Sequence, residues 1–232
     1  DFAARLAWRP LNYEVLPEYL HLLQFGVSGT TGVEKETMNP LTLKLPSTVP
    51  FFTFNSTVVA DGLRTRLVPE LSYFYRGLGF AAQYFRMNQD MRPTSTSKLL
   101  IDVPFTGGYV MATYLLTGEE RTTYSEAVDP RRPFEPLHPF SNPGAWELVA
   151  RFSTLDVGQQ VFAPGPARLA DPTKFSNTAS EFSLGFNWYL NSLVRMQFNW
   201  EHGIFGDPVL LGGKSVFFTH SNALLTRMQI IF

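Results

Sequence analysis

The last nine residues set a period of two that no helix can use. Leu224, Thr226, Met228, Ile230 and Phe232 alternate with Leu225, Arg227, Gln229 and Ile231. A β-strand sends successive side chains to opposite faces, so this segment has one greasy face and one carrying an arginine and a glutamine. A soluble sheet could contain one such strand. Here the pattern recurs along the chain, with large aromatics on the greasy side. That recurrence is the dyad repeat of a barrel whose outside meets lipid and whose inside meets water.

The alternation predicts an all-β antiparallel barrel of about ten strands in a single domain, residues 1–232. Strands are expected at 1–8 and 21–28, and a turn-rich connection at 29–50 with Pro40, Pro46 and Pro50. A weaker strand at 51–59 should end in an Asp61-Gly62 hairpin turn, since both residues tolerate positive φ. Strands 63–75 and 78–87 should meet at a tight Arg76-Gly77 turn, followed by a polar loop at 88–97. Residues 98–117 read as strand, interrupted by Pro104 and Gly107-Gly108. Strands 146–154, 182–190 and 194–200 precede a final long loop at 202–222. Short turns (76–77, 191–193) and long loops (158–180, 203–222) then fall at opposite ends, as in bacterial barrels. The proline-rich segment 118–144 lands at the short-turn end, and nothing in the sequence explains its length there.

Composition narrows the alternatives. The formal charge is −1 over 232 residues, without the basic surplus of a nucleic-acid binder. The absence of cysteine rules out disulfides, thiolate metal sites and a cysteine nucleophile. No run of about 18 apolar residues could form a membrane helix. Asp1 opens in mid-rhythm with no leader pattern, so either processing has removed a leader or, the preferred reading, the chain begins partway through a longer polypeptide. Trp8, Tyr73, Tyr75, Trp146, Trp188 and Trp200 lie near strand ends and suit an interfacial girdle. A soluble β-sandwich also alternates its faces. However, ten strands of this kind carry more apolar face than one core of this size needs.

The polar faces name the residues expected to line the lumen: Arg5, Arg64, Arg66, Glu70, Glu147, Arg151, Asn187, Arg195, Gln197, Asn199, Arg227 and Gln229. Six arginines against two glutamates would make that lumen positive and concentrate anions. The plainer reading is that these arginines pair across strands and stiffen the wall. Catalytic signals are thin, and no metal or cofactor is expected. His21, His138, His202 and His220 are not spaced as ligand pairs, and Glu201-His202 reads as a rim pair. Gly212-Gly213-Lys214-Ser215 lacks the upstream glycine of a phosphate-binding loop, Pro208 standing in its place.

One series of residues, in order, carries a resemblance. It comprises Leu115-Leu116-Thr117-Gly118-Glu119, Arg132-Pro133-Phe134, Gly144 through Ser153 with Leu155-Asp156, Gly185 through Asn191, Val194-Arg195 and a terminal Phe232. Across residues 60–232 this series resembles the phosphate-selective porins O and P of bacterial outer membranes; residues 29–60 match poorly. The resemblance implies a sixteen-stranded barrel forming a homo-trimer, lodged in outer-membrane lipid and passing small anions such as phosphate by diffusion; with about ten strands expected here, it implies that amino-terminal strands are missing or that this is an unusually small member. It also implies that Phe232 is read by the outer-membrane assembly machinery. It supplies no phosphate-site residue, because the family's anion-site motif is not matched here. The remaining readings are a structural barrel anchoring an envelope assembly and a soluble β-sandwich shell protein.

Overall fold

The computed structural model describes residues 2–37, 41–210 and 216–230. Nine strands form one antiparallel sheet: β1 (Phe2–Trp8), β2 (Gln24–Thr37), β5 (Val59–Tyr75), β6 (Leu78–Arg92), β7 (Ile101–Leu115), β8 (Ala145–Val157), β9 (Thr178–Tyr189), β10 (Val194–Leu210) and β11 (Phe217–Ile230). The remaining two, β3 (Thr42–Lys44) and β4 (Pro50–Thr53), make a separate hairpin. Every large-sheet neighbour is antiparallel, and β1 and β11 are its two edges. Among the described residues those edges do not pair with each other, so these strands form part of a wall and no pairing among them closes it into a ring.

The strands are longer than the sequence pattern suggested, and several expected turns lie within them. Strand β2 runs on through residues 29–37, opposite β5 from Leu67 to Val59. Its glycines look like turn signals, but a strand glycine often marks a close approach. A Cβ on Gly26 would stand 2.5 Å from Glu70 Oε1. Asp61-Gly62 is not a hairpin turn. It is an irregularity inside β5, where the register with β6 shifts between Ala60 and Arg64. Gly62 takes φ +134° there, Asp61 pairs with Arg92 at 2.6 Å, and the Leu63 amide donates to Asp90 at 3.0 Å.

Four further corrections follow from the pairing. Residues 88–92 continue β6, and Pro104 and Gly107-Gly108 sit in register within β7. Much of the expected loop at 202–222 belongs to β10 and β11, with a register shift between Ile204 and Val209. Residues 51–54 join the hairpin and a bridge to Ala170 rather than the wall. The turn at Arg76-Gly77 is as expected, with Arg76 at φ 52°. The connections at 76–77, 116–144 and 190–193 share one end of the sheet; 38–58, 93–100 and 158–177 share the other.

The sheet has one covered face and one bare face. The main apolar cluster lies on the covered face at the long-loop end. Met91, Val103, Phe105, Val157, Ala179 and Phe205 from the wall pack against Leu45, Phe51, Phe52 and Phe54 of the hairpin region and Val161 and Leu169 of 158–177. At the other end 116–144 folds over the same face, packing Val128 against Leu115, Ala145 and Tyr189. The length of 116–144, unexplained by the sequence, is used in that cap.

Candidate functional site

Directly paired residues share a face, so the ladders sort every side chain without ambiguity. Glu147 pairs with Asn187, Asn187 with Gln197 and Gln197 with Arg227. Arg151 and Asn199 fall on that same face, as do Arg195 and Gln229. Through β7 and β6 the face continues to Glu70, Arg66 and Arg64 on β5, and across β2 to Arg5. All twelve residues expected to share one polar face do so, and it is the covered one. Phe186, Trp188, Phe198 and Ile230 are on the bare face.

Exposure runs opposite to that of a water-soluble sheet. Leu148 is 50% exposed, while its chain neighbour Glu147 is 1% exposed. Leu184 is 43% exposed beside Ser183 at 9%. Apolar side chains ordinarily give up water and carboxylates keep it.

Glu147 is compensated locally, whereas Arg121 Nε, Arg151 Nε and Glu201 Oε2 are buried without a hydrogen-bond partner among the described residues. Glu147 forms an ion pair with Arg121 and accepts from Asn187 Nδ2 and the Tyr189 hydroxyl, each at 2.7 Å. Gln197 Nε2 in turn donates to Asn187 Oδ1 at 3.0 Å. Arg121 comes from the 116–144 cap, donates to Thr113 at 2.6 Å and lies over the Tyr124 ring at 4.4 Å. Burial raises the Tyr124 hydroxyl above its ordinary value. A buried carboxylate needs this set of donors to remain charged.

Elsewhere on the face, Arg5 pairs with Glu70, reaching across β2 over Gly26. Arg64 pairs with Glu34 and donates to Gln89 at 2.6 Å. Arg195 donates to Gln229 at 3.1 and 2.8 Å. Arg66 donates to the Met87 sulfur at 3.4 Å, and Arg151 lies over the Tyr109 ring at 4.5 Å. No carboxylate pairs with Arg66, Arg151, Arg195 or Arg227 among the described residues. Sequence reasoning missed the acids Glu34, Glu181 and Glu201 on this face. Glu34 lies in a stretch read as a turn, Glu181 just precedes an assigned strand and Glu201 just follows one. With them the described strand side chains of this face number six arginines against five glutamates, a smaller positive excess than six against two.

The β3–β4 hairpin turns inward over this face. Its tip amide, Ser47 N, donates to Glu181 Oε1 at 3.1 Å and Oε2 at 3.2 Å, and the Ser47 hydroxyl also bonds that carboxylate. Leu45 fills the space left by Gly203, where a Cβ would stand 2.4 Å from Leu45 Cδ1. The hairpin thus has a hydrogen-bonded and an apolar attachment to β9 and β10.

On the bare face, aromatics gather at the short-turn end. Trp146 and Trp188 stack at 5.1 Å and both donate to the Pro143 carbonyl, at 3.1 and 2.8 Å. Phe134 edges onto Trp188 at 4.8 Å and Tyr19 onto Tyr75 at 6.2 Å. Trp200 lies further along β10, stacked on His202 at 5.8 Å. His202 and Glu201 point to opposite faces, so they form no acid–base pair. Gly212 to Ser215 and Phe232 lie outside the described residues. Among the described residues no cluster of three metal-ligating side chains occurs.

A long-stranded antiparallel sheet with a bare apolar face and a covered charged face places the chain among the all-β antiparallel proteins. The family model for phosphate-selective porin O and P matches residues 48–204, and the chain belongs to that family of outer-membrane porins. No curated protein matches the chain.

Proposed function

We propose that the sheet is part of the wall of a water-filled pore in the bacterial outer membrane, its covered face lining the lumen and its bare face meeting lipid. The carrying observation is the inverted pair of faces. The ten rises from Val194 to Ile204 span about 34 Å, or about 25 Å across a membrane at a tilt of about 40°, the height of an outer-membrane apolar band. The stacked Trp146–Trp188 pair sits at one margin, as an interfacial girdle would. A soluble sandwich would need a second sheet against Phe186 and Phe198, and none of the described residues supplies one.

Closure needs further strands. With nine strands alternating in direction, β1 and β11 run parallel to each other. A ring that stays antiparallel throughout takes an odd number more, and seven would make the sixteen of the family resemblance. The trimer and recognition of Phe232 by assembly machinery belong to the same reading.

The solutes are small anions, phosphate among them. Subtracting the ion pairs leaves Arg66, Arg151, Arg195 and Arg227 against Glu181 and Glu201 among the described strand side chains, so the lumen field favours anions. Reversal potential in planar bilayers tests this. Arg66→Glu with Arg227→Glu should shift selectivity toward cations; unchanged selectivity would remove these arginines as the source of the field. The apolar cluster capping the long-loop end favours a second reading, a poorly conducting anchor barrel, which the same recordings would reveal by the absence of ionic current.

A further inference from the structure

We propose that the half-open cavity of about 300 Å³ between the β3–β4 hairpin and the wall is a binding site for an organic anion with an apolar ring, in chemical class an aromatic carboxylate. This rests on the pore reading and narrows its solute. The cavity lies between Lys44 and Pro46 on the hairpin and Phe85, Tyr109, Arg151 and Leu155 on the wall. Its volume is at the small end of ligand sites.

The two cations are available. Lys44 is exposed, and no carboxylate pairs with it or with Arg151 among the described residues. Arg151 Nε is buried without a hydrogen-bond partner, while the guanidinium rests on the Tyr109 ring at 4.5 Å. That stacking holds the guanidinium in one plane, ready for a carboxylate's two oxygens. Glu181 accepts from Ser47, and Glu201, which interacts electrostatically with Arg151, does not approach it as an ion pair. Gln83 and Ser153 add polar groups to the lining, and Leu45, Pro46, Phe85, Leu155 and Ala179 make the rest of it apolar. Inorganic phosphate, polar on every side, would leave those surfaces unmatched and would lose hydration against them. A ring carboxylate satisfies the cations with one end and the apolar walls with the other.

The test is current block in planar bilayers containing the full chain, with benzoate, acetate and inorganic phosphate compared at equal ionic strength. Benzoate should block at concentrations at least about tenfold below the other two. Arg151→Gln should weaken its block on the order of tenfold, as expected on losing a charge-assisted pair. Lys44→Gln, at an exposed position, should also weaken it and stands in if the Arg151 variant fails to fold. Current with no preference for benzoate, or block unchanged in both variants, would overturn the site and leave the pore standing. If no current flows, the pore reading fails, and equilibrium dialysis of labelled benzoate against the detergent-solubilised chain decides the cavity. One benzoate bound per chain and lost in the variants supports it; no binding overturns it.

Discussion

Single residues on the covered face are held by partners that other segments bring to them. Glu147 is charged and buried because Arg121, Asn187 and Tyr189 converge on it. Glu147→Leu would strand the Arg121 charge, and about 3–5 kcal/mol of stability should go with it, read as a lower temperature for the heat-induced shift in gel mobility. Adding Arg121→Met should restore most of that loss, because the removed pair leaves no charge behind. An equal loss in the double variant would mean the contact contributes through packing alone. The sequence placed Glu147 on the correct face but said nothing of Arg121, which lies 26 residues away in a segment without periodicity. Facing follows from a two-residue period; the partner of a buried charge follows from tertiary folding that the period does not encode.

At the scale of elements, the wall strands were legible and their lengths were not. Alternation identified β8 through β10 because their bare faces carry bulky apolar rows. It failed where glycine, proline and small polar residues occupy the ladder, as in residues 29–37 of β2 and Pro104 of β7, since these carry turn signals when read alone. The inward hairpin was missed for a related reason: its few residues are too short for a period. The hairpin's attachment is testable. Gly203→Val should push Leu45 off β10 and raise amide exchange at least about tenfold across 41–54, while β8 and β9 keep their protection; unchanged exchange would mean the Ser47–Glu181 contacts and the packing of Phe51, Phe52 and Phe54 hold it without Leu45.

The 158–177 segment has its own pH dependence. Asp171 is held below the ordinary carboxylate range, first by the Thr173 hydroxyl at 2.7 Å, then by the Thr173 amide at 2.9 Å and Lys174. A carboxylate lowered on folding contributes fully above its unfolded value and loses that contribution as pH falls through the folded one. Exchange at 171–175, normalised for its intrinsic pH dependence, should therefore quicken only below about pH 4. Asp171→Asn should abolish that acid-induced change.

For the whole molecule, everything depends on which face meets lipid. The native chain has no cysteine, so single cysteines can carry spin labels without a background signal. Strand β11 is the place to put them, because side chains on both of its faces are accessible: Leu224 and Met228 on the bare face, Leu225 and Arg227 on the other. In reconstituted membranes, collision rates should alternate with period two along 224–229. Apolar oxygen should be favoured at 224, 226 and 228, and a water-soluble nickel chelate at 225, 227 and 229. An absent or reversed alternation would contradict the assignment of the bare face to lipid and of the arginine-bearing face to water.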